Sequence, residues 1–116
     1  MKMQYINYGK EVFLKERVAI CGIVKAEIMH GAKNELHLNI INKALSGFEY
    51  IPINESLWEM VGVMLCRLRK RGITVPFQDV VISALALKYD ISIWANDRHF
   101  AYIKEIFNNL KLFKLN

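Results

Sequence analysis

The sequence has 116 residues, of which 53% are hydrophobic, so it has the length of one domain (residues 1–116) and enough apolar side chains for a core. Its 16 Lys and Arg residues against 11 Asp and Glu residues give a net charge of +5, which favours an anionic partner such as nucleic acid. The two cysteines lack metal-site spacing, and no segment resembles a membrane span or a signal peptide. We therefore expect a cytoplasmic protein without a membrane partner.

The first half of the chain alternates short β-branched segments with helical segments. Val18–Cys21 predicts a strand, and Gly22–His30 and Glu35–Leu45 predict two helices. Gly31 is expected to end the first helix in a left-handed conformation. Residues 48–53 predict a second strand, which Pro52 places near a sheet edge or a strand end.

The second half of the chain continues this alternation. Ser56, followed three residues later by Glu59, predicts the start of a long amphipathic helix that Gly72 ends. Residues 79–89 predict a helix that is apolar on nearly every face and must be buried on most sides. A third strand, a last helix and an edge strand are predicted at residues 91–95, 98–107 and 110–115. Strands separated by helices imply parallel pairing and an α/β fold.

Three acidic residues are predicted to lie at one edge of the sheet. Asp97 follows the third strand by two residues, Asp79 begins the apolar helix, and Glu27 lies on the helix after Val18–Cys21. Ligands bind beyond the carboxyl ends of the strands in open parallel sheets, so the three carboxylates are expected to converge. Each also has an ordinary alternative: Asp79 as an N-cap or first-turn acid, Asp97 as the cap of the helix that begins at Arg98, and Glu27 as a solvated helix residue.

Converging carboxylates have a definite chemical consequence. They repel one another unless a cation lies between them, and Mg²⁺ and Mn²⁺ prefer oxygen ligands. Such an ion can orient and activate water for attack on a phosphodiester. Ser83 lies one helical turn after Asp79 and could contact a ligating carboxylate or a metal-bound water, or could be an ordinary small core residue.

Three segments resemble the later motifs of the PIN domain. They are residues 20–28 (ICGIVKAEI), residues 71–79 (RGITVPFQD) with Ser83 beyond them, and residues 96–100 (NDRHF). Their order and spacing are similar to those of the toxin ribonucleases of bacterial toxin–antitoxin pairs (VapC-like), over residues 15–116. The resemblance implies a three-layer α/β/α fold with a mainly parallel sheet, and an endoribonuclease that depends on Mg²⁺ or Mn²⁺.

The resemblance also implies site residues and partners. By motif match, Glu27, Asp79 and Asp97 would be the catalytic and metal-binding acids. Supporting roles are expected for Ser83 and Asn96. Members of this family are often homodimers and are held inactive by a small antitoxin, so an RNA substrate, an antitoxin and a second copy of the chain are the implied partners.

The N-terminus departs from the family pattern. The family opens with a strand that ends in Asp and a helix, whereas only seventeen residues precede Val18 here and none of them is Asp. We therefore expect a PIN-like sheet that lacks its usual first strand. Residues 3–8 as a replacement strand, with Asn7 in place of the Asp, and exchange of elements in a dimer are the alternatives. His99 stands where a further Asp is common.

The sequence leaves alternatives open for the contacts with RNA and for the function of the protein. The candidate RNA contacts are Arg67, Lys70, Arg71, Arg98 and His99. A solvated helix end is the ordinary explanation for the first three, and a helix-start position is the ordinary explanation for His99. Three functions agree with the sequence: a metal-dependent ribonuclease toxin, a weakened PIN remnant that only dimerises or binds an antitoxin, and a basic α/β module that binds nucleic acid without cleaving it.

Overall fold

The computed structural model describes residues 2–4, 18–94 and 97–113. Within these residues the chain forms a five-stranded parallel sheet, in the order β3-β2-β1-β4-β5, and five helices. The elements are β1 (Lys2–Gln4), β2 (Val18–Cys21), α1 (Gly22–His30), α2 (Glu35–Leu45), β3 (Glu49–Ile51), α3 (Glu55–Lys70), α4 (Phe77–Tyr89), β4 (Ser92–Trp94), α5 (Arg98–Ile106) and β5 (Lys111–Phe113). The α/β fold predicted from the sequence is confirmed. No helix in the described part of the chain is long and apolar enough to cross a membrane.

The central position of the sheet is occupied by β1. Lys2 pairs with Val18 of β2 on one side, and Gln4 pairs with Trp94 of β4 on the other. The expectation of a sheet without a strand in this position is therefore wrong. The physical reason is that β2 and β4 would otherwise each expose a row of unpaired backbone groups, and three extended residues suffice to pair with both. Asn7 lies outside the described residues.

The core is organised around α4. Its residues 79–86 are all buried, and Ile82 and Leu85 are fully enclosed. The helix contacts α3, α5 and β4, which leaves little of its circumference facing water. This confirms the prediction of a helix apolar on nearly every face, which here begins two residues earlier than expected, at Phe77.

Two predicted helix caps differ from the structure. The capping box of Ser56 and Glu59 is wrong, because Asn54 caps α3: its Oδ1 accepts a hydrogen bond from Leu57 N at 3.0 Å. Asparagine is among the strongest capping residues, and Ser56 instead donates its hydroxyl hydrogen to Asn54 Oδ1. Gly31 has a φ of −81° and is not left-handed.

The chain turns back on itself after α3. Gly72 has a φ of +74°, which confirms it as the residue that ends this helix, and Ile73 N then donates to Leu68 O at 2.9 Å. The returning segment reaches the first half of α3, where the ring of Phe77 stacks on that of Trp58 with centroids 6.3 Å apart. The start of α4 is thereby placed against the first half of α3.

The burial of α4 predicts a large effect of shortening one of its side chains. We expect Ile82→Ala to lower the free energy of unfolding by about 2–5 kcal/mol, because it leaves a cavity in a fully buried position. Urea unfolding followed by circular dichroism measures this change. The matched control is Ile40→Ala on α2, where the side chain is 59% exposed and the change should stay within about 0.5 kcal/mol. Equal losses in the two variants would contradict the assigned burial.

Candidate metal centre

The acidic residues lie where the strand order reverses. The chain places β2 and β3 on one side of β1, and β4 and β5 on the other. A crevice opens beyond the carboxyl ends of the strands at such a point. Asp97 follows the carboxyl end of β4 by three residues, and α1, which carries Glu27, begins directly after β2.

Asp79 is held in the first turn of α4. Pro76 is the N-cap residue of this helix, so Asp79 is not its cap. Asp79 is instead an acid in the first turn, which confirms that part of its ordinary explanation. Pro76 suits this position because its fixed φ and missing N–H cost nothing where the helix begins. Asp79 is only 5% exposed although it carries a carboxyl group. Burying a carboxylate is costly unless a cation or hydrogen-bond donors compensate it.

Asp97 is the N-cap residue of α5. Its Oδ1 accepts a hydrogen bond from His99 N at 2.9 Å, so the capping explanation for Asp97 is confirmed. Its side chain remains 39% exposed. The cap fixes one oxygen of the carboxylate against the start of α5 while the group stays open to solvent, so capping and ligand binding are compatible in this residue.

His99 joins the two aspartates into one cluster. Its Nδ1 lies 3.3 Å from Asp79 Oδ2 and 2.9 Å from Asp97 Oδ1. One potential ligand atom from each of the three residues lies within 4.8 Å of the other two. The sequence predicted His99 only as an RNA contact or a helix-start residue. Its position two residues after a capping aspartate was the available signal, but that spacing does not reveal the contact with Asp79 on another helix.

The surroundings of Asp79 disfavour its charged form. Its pKa is raised from the ordinary value of 3.8 to about 6, first by burial and then by the negative charge of Asp97. Glu27 raises the pKa further, while the charge of His99 lowers it. A cation bound between these carboxylates would remove the repulsion that raises the pKa.

Glu27 and Ser83 do not belong to the three-residue cluster. The charge of Glu27 acts on Asp79, yet its carboxylate is not among the three groups within 4.8 Å. In the described part of the chain, Glu27 Oε2 and Ser83 Oγ are both buried and have no hydrogen-bond partner. Buried polar atoms of this kind commonly face a bound ion or an ordered water. Asn96 lies outside the described residues.

The predicted RNA contacts fall in two places. Arg98 is exposed at the first position of α5, next to Asp97. Arg67, Lys70 and Arg71 are exposed at the far end of α3. At 1.5 Å per residue they lie about 14–20 Å along α3 from Trp58, the residue on which Phe77 at the start of α4 stacks. A ligand that contacts both places would have to extend along α3.

Comparison with known proteins agrees with this geometry. Residues 7–106 match the family model described as the PIN domain. The chain belongs to the PIN-domain family. The match spans Glu27, Asp79 and Asp97 together with the whole of β2 to α5. No curated protein sequence matches the chain.

Several solved structures share the fold. VapBC-5 from Mycobacterium tuberculosis, a member of the VapBC family of toxin–antitoxin systems, has a TM-score of 0.76 and 17% sequence identity, with 98% of each chain covered. VapBC-1 from nontypeable Haemophilus influenzae has a TM-score of 0.72 and 20% identity, with 90% of this chain and 78% of that chain covered. VapBC2 from Rickettsia felis, bound to a promoter DNA fragment, has a TM-score of 0.71 and 24% identity, covering 85% and 75%.

The raised pKa of Asp79 predicts a pH-dependent stability difference. A folded-state pKa of about 6, above the ordinary 3.8, stabilises the metal-free protein below pH 4, and this contribution is lost as the pH rises through 6. Asp79→Asn removes the titrating group. Relative to wild type, the variant should gain about 2–3 kcal/mol in free energy of unfolding between pH 4 and pH 7, at about 1.4 kcal/mol per pKa unit.

Urea unfolding in chelator, repeated at several pH values, tests this expectation. Asp90→Asn is the matched control, because Asp90 has a 77% exposed side chain and a left-handed backbone that asparagine tolerates. A gain for Asp79→Asn that does not change with pH would show that Asp79 has an ordinary pKa.

Proposed function

We propose that this chain is a metal-dependent endoribonuclease that acts as the toxin of a toxin–antitoxin pair. The observation that carries the proposal is the buried Asp79 carboxylate, brought together with Asp97 at the carboxyl edge of the sheet. A buried acid that is not a helix cap, in a cluster with a second acid, is poorly explained by stability alone. The PIN family match and the VapBC structures with this fold support the same function.

The cluster suits Mg²⁺ or Mn²⁺. Asp79 and Asp97 would hold the ion, with Glu27 nearby through direct or water-mediated contact. When bound, such an ion activates water for hydrolysis of a phosphodiester and stabilises the leaving oxygen. The buried unpartnered oxygens of Glu27 and Ser83 fit a polar ligand at this position. The raised pKa of Asp79 fits a site that lacks its compensating charge.

The protein contributes position and charge. The first turn of α4 fixes Asp79, and the α5 cap fixes Asp97, so neither carboxylate needs to be ordered when the substrate arrives. Arg98 beside the cluster can bind a phosphate of the RNA backbone. The basic end of α3, defined by Arg67, Lys70 and Arg71, would contact the RNA at a greater distance from the cluster.

An antitoxin and a second copy of the chain are the proposed protein partners. They are implied by the family resemblance and by structural neighbours such as a toxin–antitoxin complex from Klebsiella pneumoniae and VapBC-5, a member of the VapBC family of toxin–antitoxin systems. Light scattering after gel filtration should give about twice the chain mass of 13.5 kDa for the protein alone. A mass of one chain at micromolar concentration would contradict the homodimer.

One observation favours a second candidate function. None of the seventeen residues before Val18 is Asp, so one acid of the family pattern is missing from the sequence. Fewer carboxylates bind a divalent ion more weakly. A PIN protein with weakened catalysis, which acts by binding an antitoxin or by dimerising, agrees with that observation.

The decisive experiment measures cleavage of a labelled single-stranded RNA with Mg²⁺ or Mn²⁺. We expect cleavage that chelator abolishes and that Asp79→Asn and Asp97→Asn each reduce by on the order of a hundredfold, because each removes an ion ligand. Asp90→Asn, in the exposed turn before β4, is the control and should cleave like wild type. Absence of cleavage by folded wild-type protein with either ion favours the second candidate. Cleavage that survives chelator would overturn the metal mechanism.

A further inference from the structure

We propose that His99 is a ligand of the divalent ion through Nδ1 and that it makes the site prefer Mn²⁺ to Mg²⁺. The inference rests on the metal centre of the proposed function and extends it to a residue outside the three predicted acids. It concerns which ion binds and does not require that the protein cleaves RNA.

The position of His99 Nδ1 is the first observation that supports its role as an ion ligand. It lies 3.3 Å from Asp79 Oδ2 and 2.9 Å from Asp97 Oδ1. Neighbouring ligands of an octahedral ion with ligand distances of about 2.1 Å are about 3 Å apart. The two distances from Nδ1 are therefore those of neighbouring ligands of one ion, and the two carboxylates offer oxygens within 4.8 Å of each other.

The orientation of the ring carries the second step. Although Nδ1 is buried and close to both oxygens, it has no hydrogen-bond partner among the residues that the structure describes. A ring N–H that served only to neutralise the carboxylates would be expected to align with one of them, since charge-assisted hydrogen bonds are the strongest available here. The close approach without alignment fits a nitrogen that binds the same metal ion as the two aspartates.

The rigidity of His99 carries the third step. Its backbone N–H is bonded to Asp97 Oδ1, and it lies in the first turn of α5, so the ring stays beside the cluster. Asp79, 5% exposed with Oδ2 lacking a hydrogen-bond partner in the described residues, faces the same point from α4. An ion bound there would contact two oxygens and one imidazole nitrogen.

The ligand set determines the preference among ions. Both ions favour oxygen ligands, but Mn²⁺, although the weakest binder of the first-row transition ions, accepts an imidazole nitrogen more readily than Mg²⁺ does. A site that contained carboxylates alone would discriminate less between these two ions. His99 thus supplies the difference in affinity.

The test measures ion binding directly. Isothermal titration with Mn²⁺ and with Mg²⁺ is performed on wild type, on His99→Ala, which deletes the nitrogen, and on His99→Asp, which exchanges it for oxygen. We expect tighter binding of Mn²⁺ than Mg²⁺ by wild type. His99→Ala should weaken Mn²⁺ binding by on the order of tenfold or more and Mg²⁺ binding much less, and His99→Asp should improve Mg²⁺ binding relative to Mn²⁺.

The matched control is His30→Ala, which removes an exposed imidazole at the end of α1 and should leave both affinities unchanged. Circular dichroism establishes that each variant is folded. Pulsed electron paramagnetic resonance of bound Mn²⁺ supplies an independent signature, because a coordinated imidazole gives a nitrogen coupling. That coupling should be present in wild type and absent in His99→Ala.

Two outcomes would overturn the inference. If His99→Ala binds both ions as tightly as wild type or more tightly, the imidazole is a counter-charge that the ion displaces. Absence of nitrogen coupling in wild type gives the same conclusion. Neither outcome bears on the proposed nuclease activity, which is tested by RNA cleavage. Conversely, a wild-type protein that binds Mn²⁺ through His99 but does not cleave RNA would refute only the proposed nuclease activity.

Discussion

A carboxyl group that is removed from water must hold a proton or face a cation, and Asp79 is in that position. The apolar length of α4 forces this condition, because the helix is buried by α3, α5 and β4 and carries its acid in with it. The pKa of about 6 expresses the cost of this burial and of the charge on Asp97. The same packing that stabilises the core therefore leaves uncompensated negative charge at the edge of the sheet, which a bound ion would neutralise.

The N-terminal cap of α5 connects local structure to the site. Asp97 satisfies an otherwise unpaired backbone N–H, and the residue that donates that hydrogen is His99. One hydrogen bond thus determines the start of a helix and the positions of two of the three clustered side chains. Substitution of Asp97 would consequently alter helix stability and site geometry together, which is why ion binding and folding must be measured separately in such variants.

The three-residue strand β1 has an influence beyond its length. It pairs with β2 on one side and β4 on the other, so it joins the half of the sheet that leads to Glu27 with the half that leads to Asp97. The electrostatic effect of Glu27 on Asp79 depends on this arrangement. The central strand therefore helps to position the two halves of the site.

The sequence alone determined most elements and supplied the candidate acids. Hydrophobic period and β-branched composition are local signals, so β2, α1 and α2 were predicted with the bounds that the structure shows, and the apolar pattern marked α4 as buried. Motif order identified the PIN fold. Only the tertiary structure decided that Lys2–Gln4 is the central strand and that His99 lies against Asp79. Both depend on contacts between residues far apart in sequence, for which a short strand and a single imidazole leave no periodic trace.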